Sequence, residues 1–209
     1  MNCDADVGFG PVPPIVLASG SPTRARMLRD AGLSFDVRPA RVDEDEIARS
    51  LLAEGMTGRD LADALAEMKA VAVARNAGPA CVLGCDQVLV CDGQVIRKAT
   101  DRDEAARTLR MLAGRTHHLY SAAVAVVGGR AVWRHIGHAR LSVRSLSEAF
   151  IARYLDLSGD EVLGSVGCYR IEGLGAHLFT RIEGDGFTIQ GLPLLELLEW
   201  LRARGMIAR

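Results

Sequence analysis

The stretch Ile15-Val-Leu-Ala-Ser-Gly-Ser-Pro-Thr-Arg-Ala-Arg-Met-Leu28 decides how this chain folds. Its apolar opening, Ile15 to Ala18, reads as a short buried strand that Ser19-Gly20-Ser21 interrupts with a turn. Ser21 can cap the next helix with Pro22 at its first position, where a missing N–H costs nothing. Met27, Leu28 and Ala31 fall on one side of that helix, which stops at Gly32. A strand leading through small residues into a helix N-terminus presents free backbone N–H groups to an anion. Arg24 lies in the first turn, where a cation opposes the helix dipole unless a bound anion compensates it. On these residues alone, an ordinary capped helix with a solvated Arg24 is the alternative.

Working outward, the 209 residues allow one large domain or two small lobes, and 49% of them are hydrophobic, enough for a full core. The 25 basic and 26 acidic residues balance to a net charge of −1, which points neither to nucleic acid nor to an anionic membrane. No apolar run approaches a bilayer span, and the first residues lack a basic-then-apolar secretory pattern, so a soluble cytoplasmic protein is expected. The five cysteines contain no C-x-x-C pair; Cys81, Cys85 and Cys91 share one parity along an apolar segment and read as buried free thiols. The five histidines lack ligand spacing and are read as structural.

Residues 1–13 carry no periodicity and are expected to form a tail before a single domain, 14–209. Leu33 to Arg38 alternates as a second strand that Pro39 ends. Val42-Asp-Glu-Asp-Glu46 is an acidic loop or helix start: a solvated face, or carboxylates that hold a hard divalent cation beside a polyphosphate. Thr57-Gly-Arg-Asp60 launches a long helix to about Gly78 with the stripe Leu61, Leu65, Met68, Ala72. Lys69 falls inside that stripe, where a lysine either snorkels to the edge or meets an anion. Cys81 to Ile96 reads as a strand, an Asp92-Gly93 hairpin turn and a return strand. Asp86 stands between its apolar runs, and a carboxylate there requires a partner, a cation or a raised pKa. A helix from Thr100 to Gly114, strands at 116–127 and 131–143, and a helix capped by Ser147 follow. Gly167 to Gly175 is glycine-rich, suiting close approach to a ligand or bulges, and leads into a strand over 176–182 and a closing helix with Pro193 in its first turn.

The motifs resemble, in order, those of the Maf family of nucleoside triphosphate pyrophosphatases, also called septum formation inhibitors. They are Ser-x-Ser-x-x-Arg at 19–24, Val-Asp-Glu at 42–44, Leu-Ala-x-x-Lys-Ala at 65–70, Gly-x-Asp at 84–86 and Asp-Gly at 92–93 with Lys98. Leu-x-Gly-Arg-Thr-His at 112–117, Gly-x-Tyr-x-Ile-x-Gly at 167–173, Ile-Glu-Gly-Asp at 182–185 and Gly-Leu-Pro-Leu at 191–194 complete the set. The resemblance implies an elongated two-lobed Maf/ITPase-like α/β fold: a mixed, curved sheet with flanking helices and a central cleft. It also implies a homodimer, a nucleoside triphosphate substrate cleaved to monophosphate and pyrophosphate, and a divalent cation, Mg²⁺ or Mn²⁺.

Carried over by position, Asp86 matches the proton acceptor, with Lys69 and Lys98 as its catalytic partners. Ser19, Ser21 and Arg24 would hold phosphate, and Glu44 with Asp86 the metal. Thr23, Gln87 and Glu172 match the base-specificity positions. Thr23 departs from the second Arg of many members and from the Trp of the branch acting on 7-methyl-GTP; Ala99 replaces a usual Pro. Gln87 and Glu172 stand where the pyrimidine-directed branch has Thr and Gln, and look like the 7-methyl-GTP branch. The alternatives are a dTTP- or UTP-directed enzyme and a nucleotide-binding regulator of cell division or septum formation with little turnover.

Overall fold

The computed structural model describes residues 13–208. The expected N-terminal tail lies outside them apart from Pro13, as does Cys3. Within this span the chain forms one mixed seven-stranded sheet with helices on both faces. The opening strand β1 (Ile15–Leu17) pairs in parallel with β2 (Asp36–Val37) on one side. On its other side it pairs in parallel with β3 (Cys81–Cys91). From there the sheet is antiparallel: β3 pairs with β5 (Thr116–Val127), β5 with β6 (Arg130–Val143), and β6 with β7 (Phe179–Glu183). Register shifts at Ala125/Val126 and Ser142/Val143 mark bulges, which increase local twist.

The short return strand β4 (Gln94–Ile96) reaches β3 through the expected Asp92-Gly93 turn, where both residues have positive φ, 48° and 77°. Because β5 occupies one edge of β3, β1 and β4 share the other. The first covers residues 81–83 and the second 89–91. Between them, at 84–88, that edge carries no strand among the described residues, and the functional residues gather there.

Alternation along β3 separates the cores. Odd-numbered Cys81, Leu83 and Cys85 pack beneath α1 (Pro22–Asp30) and α7 (Leu194–Ala203). Further along the same face, Leu89 and Cys91 pack with α4 (Arg102–Leu112) and α5 (Glu148–Ser158). Even-numbered Val82 and Val88 face α3 (Gly58–Ala74). Burial pushes the thiols of Cys81, Cys85 and Cys168 up to about 11, so they pack as small apolar groups, as the sequence implies.

Four sequence expectations are corrected. The second strand is confined to Asp36–Val37, with both residues exposed. Of the two readings of the acidic run, the helix start holds: it opens α2 (Glu44–Ala53), which the Asp43 side chain caps by accepting from the Glu46 N–H. On α3 the buried row is Leu61, Ala62, Leu65, Ala66, Lys69 and Ala70; Met68 lies outside it, 36% exposed. Residues 174–178 form a 3-10 turn and β7 begins only at Phe179. The short α6 (Gly186–Ile189), capped by Asp185, has no counterpart in the sequence reading. Ala31, expected on the inner side of α1, is exposed.

His117 is fully buried, its Nε2 2.6 Å from the Tyr169 hydroxyl, whose ring meets Phe179 edge-on at 4.9 Å. Burial first, and then the neighbouring His118, lower the His117 pKa to about 4. The unfolded chain then binds a proton near 6.5 that the native fold refuses until about 4. This contribution is present above pH 6.5 and is lost as pH falls towards 4. Urea denaturation across that window should show about 3 kcal/mol of stability lost through this group. His117→Gln should flatten the slope, whatever its effect on stability at pH 7.

Candidate active site

Among the glycines of the described residues, Gly84 permits the closest approach. A Cβ there would collide with the Ala66 carbonyl and lie 2.8 Å from the Ala70 nitrogen. Hydrogen in place of a side chain lets α3 settle directly on β3. Lys69 and Asp86 are thereby brought together, with Nζ 2.6 Å from Oδ1. Lys69 is 6% exposed and Asp86 7%. From the first turn of α2, Glu44 brings Oε2 to 2.7 Å from the same ammonium. The lysine thus meets two carboxylates, and the inward position that was anomalous in the sequence has a cause. Burial raises the Asp86 carboxyl above its ordinary value, partly offset by Lys69 and Arg24.

The opening turn delivers the second cation. Ser21 caps α1 by accepting from the Arg24 N–H, as expected. The Arg24 side chain is buried: Nε donates to the Gly191 carbonyl at 2.7 Å, and one terminal nitrogen to Ser19 Oγ at 3.1 Å and the Cys85 carbonyl at 3.0 Å. Cys85 offers that carbonyl because its edge of β3 has no neighbouring strand. Arg24 therefore fastens α1, the open edge of β3 and the turn before α7 to one point. Buried Ser19 also accepts from the Ser21 N–H at 3.3 Å.

Gln87 points to the opposite face from Asp86. Its Nε2 donates towards Ser121 Oγ at 3.0 Å and the carbonyls of Thr188 and Ile189 at 3.2 and 2.9 Å. Those acceptors fix the amide orientation and leave Oε1 as its open acceptor. Ser121 and the carbonyls of α6 are the partners that sequence reasoning missed; no motif spacing signals a backbone acceptor.

Glu172 lies apart from Asp86, beside a cavity of about 390 Å³ lined by Arg26, Tyr154, Leu157, Arg170 and Gly173 among others. Its Oε1 accepts from Arg26 and from two nitrogens of Arg170, each at 3.3 Å. Thr23 is half-buried on α1. Lys98 is exposed in the segment after β4 and has no ion pair among the described residues, so this structure does not join it to Asp86 and Lys69.

A buried acid beside a lysine, a buried arginine and a turn ahead of a helix suit a polyanion. The chain belongs to the Maf-like protein family, whose model matches residues 14–204. A nucleoside triphosphate pyrophosphatase 1 from Jannaschia sp. (strain CCS1) is 52% identical over 93% of this chain and 98% of its own. A 7-methyl-GTP pyrophosphatase from Mesorhizobium japonicum is 50% identical over 92% of this chain and 97% of its own. Among solved structures, a nucleoside-triphosphatase, or dITP/XTP pyrophosphatase, from Mycobacterium abscessus is similar at a TM-score of 0.43 and 16% identity, covering 92% of this chain and 95% of that one.

Gly84→Ala tests the approach that assembles this site. It should cost about 1–3 kcal/mol in urea denaturation, the usual range for overpacking. Gly186→Ala, where no atom lies within 4 Å of the added methyl, should stay near wild type.

Proposed function

We infer that this chain is a nucleoside triphosphate pyrophosphatase, cleaving its substrate to the monophosphate and pyrophosphate. The observation that carries the reading is the buried Lys69 between Asp86 and Glu44, next to the phosphate-type turn fastened by Arg24. The names of relatives about half identical over nearly their whole length support it.

In this reading a water attacks the α-phosphorus and gives its proton to Asp86. The bond from that phosphorus to the bridging oxygen breaks, and pyrophosphate leaves with the electron pair. A carboxyl raised by burial is a stronger base than an exposed aspartate, and its acidity lies closer to the working pH. Lys69 holds Asp86 in place and offsets the charge that builds on the phosphoryl oxygens. Ser19, Ser21 and Arg24 orient the phosphates, and Lys98, exposed after β4, joins them when substrate is bound.

The donor set also suits a divalent cation. Magnesium takes one or two carboxylates and completes its shell with water and substrate phosphate. Glu44 and Asp86 each spend one oxygen on the Lys69 ammonium, and their other oxygens would hold Mg²⁺ or Mn²⁺ without a third protein ligand. No cluster of three or more His, Cys, Asp or Glu suited to a metal exists among the described residues. Such an ion, when bound, would neutralise phosphate charge and supply a more acidic water.

The base is read by Gln87, Glu172 and Thr23. The open Oε1 of Gln87 accepts an N–H, and a carboxylate accepts the paired N1–H and N2–H donors of a guanine-type edge. We therefore favour a modified or non-canonical purine such as 7-methyl-GTP, in keeping with the name of the Mesorhizobium relative. A cytoplasmic homodimer with a house-cleaning role completes the proposal, and no helix among the described residues is long and apolar enough to cross a membrane.

Purified protein with Mg²⁺ or Mn²⁺ should release pyrophosphate as its first product, with an acidic limb of kcat/KM above the 3.8 of an ordinary aspartate. Asp86→Asn should keep the fold and lose at least ~100-fold in turnover. Orthophosphate as first product, or an unaffected Asp86→Asn, would overturn the mechanism. For the base, kcat/KM should favour 7-methyl-GTP or GTP over dTTP and UTP. Glu172→Gln with Gln87→Thr should move that preference towards the pyrimidines; an unmoved pyrimidine preference in both proteins would refute the assignment.

A further inference from the structure

The cavity beside Glu172 contains four charges whose pairing is unequal. Arg170 is shared between Glu172 and Glu161. Arg26 has Glu172 as its carboxylate partner, at 3.3 Å, and no other among the described residues. Together the four side chains are neutral; without Arg26 they carry one negative charge. Removing either arginine leaves that same charge, but Arg26, with its single partner, is the cation that a bound ring can separate from Glu172.

Its position on α1 makes that charge dependable. Buried Arg24, two residues earlier, ties the helix to the carbonyls of Cys85 and Gly191. Thr23 lies one turn before Arg26 on the same helical face and carries no charge. From this anchored helix Arg26 spans a separation of 146 residues to a carboxylate in the segment between α5 and β7. The bond is long and the arginine side chain is 47% exposed, so an entering ligand displaces it at low cost.

We propose that Arg26 is a specificity-determining residue: its guanidinium occupies the Glu172 carboxylate and counter-selects a base that carries its own positive charge. The inference rests on the reading of Glu172 as the base end of the site. A neutral guanine ring needs only the acceptor oxygens of Glu172, whereas an N7-methylated ring competes with Arg26 for the same negative charge. Arg26 thus narrows the advantage that a bare carboxylate would give to a cationic purine.

The test is equilibrium binding of GMP and 7-methyl-GMP, at fixed ionic strength, to wild type, Arg26→Ala, Arg26→Lys and Glu172→Gln. Because the pair is exposed, removing the Arg26 charge should shift the Kd ratio about three- to fivefold towards 7-methyl-GMP in Arg26→Ala. Arg26→Lys keeps the charge without the planar fork and should stay within about twofold of wild type. Glu172→Gln should shift the ratio the other way. An unchanged ratio in Arg26→Ala overturns the proposal, as does a shift in Arg26→Lys as large as that in Ala, which would show a packing effect instead of a charge effect. If neither Arg26→Ala nor Glu172→Gln moves the ratio, or if neither nucleotide binds, the cavity is not the base end and the proposal falls. Because binding of monophosphates is measured, a failure of triphosphate turnover would count against the enzymatic reading alone.

Discussion

The ion pair between Lys69 and Asp86 is the constraint on which the rest of this structure depends. Two charges have been taken almost wholly out of water, and desolvation of such a pair costs several kcal/mol per ion unless partners and geometry offset it. Here the offset comes from a second carboxylate on the ammonium, Glu44, and from the field of Arg24 on the aspartate. Each contribution arrives from a different element. The helix α3 must lie against β3, α2 must start where Asp43 caps it, and α1 must present Arg24 from its first turn. A polar pair of this kind is weak support for stability and stronger support for chemistry, since a core without the charges would be cheaper to fold.

The second organising fact is the interrupted edge of β3. Parallel β1 covers one end, the hairpin strand β4 covers the other, and the stretch between is free to bond with something other than a strand. The Cys85 carbonyl, on that edge, takes Arg24. Successive residues project to opposite faces, so Asp86 meets the lysine of α3 while Gln87 meets the carbonyls that follow β7. One short piece of backbone thereby places a buried acid on one face and a hydrogen-bonded amide on the other. Crevices beyond the carboxyl end of a parallel strand, where the sheet changes direction, are habitual ligand sites in α/β proteins.

The core on each face has a different task. Leucines and alanines under α1 and α7 hold the opening turn in place. The small residues Ala62, Ala66 and Ala70 on α3 bring that helix close enough for a lysine to reach the sheet. His117 and Tyr169, both within recognisable sequence motifs, pair with each other in the remaining core and take no part in the cluster around Asp86.

The sequence by itself determined the local pieces whose causes are local. Ser21 before Pro22, Thr57 before Asp60, the Asp92-Gly93 turn and the alternation of β3 each depend on neighbours within a few residues, and all formed as read. It also marked Asp86 and Lys69, because a charge placed among apolar residues must have a partner even before the partner is known. The motif order identified the family, which the match over residues 14–204 shows. The partners themselves were decided only by tertiary structure. Lys69 could have snorkelled, and it was the missing Cβ of Gly84, felt through the Ala66 backbone, that held it inward. The second strand and Met68 were misread because pairing extent and helix rotation are set by what packs against them, which no local pattern contains. Glu172 met Arg26 across 146 residues, and Gln87 met backbone carbonyls of α6. Carbonyl acceptors carry no sequence identity, and long-range charge pairs carry no spacing, so only the folded chain could bring them to view.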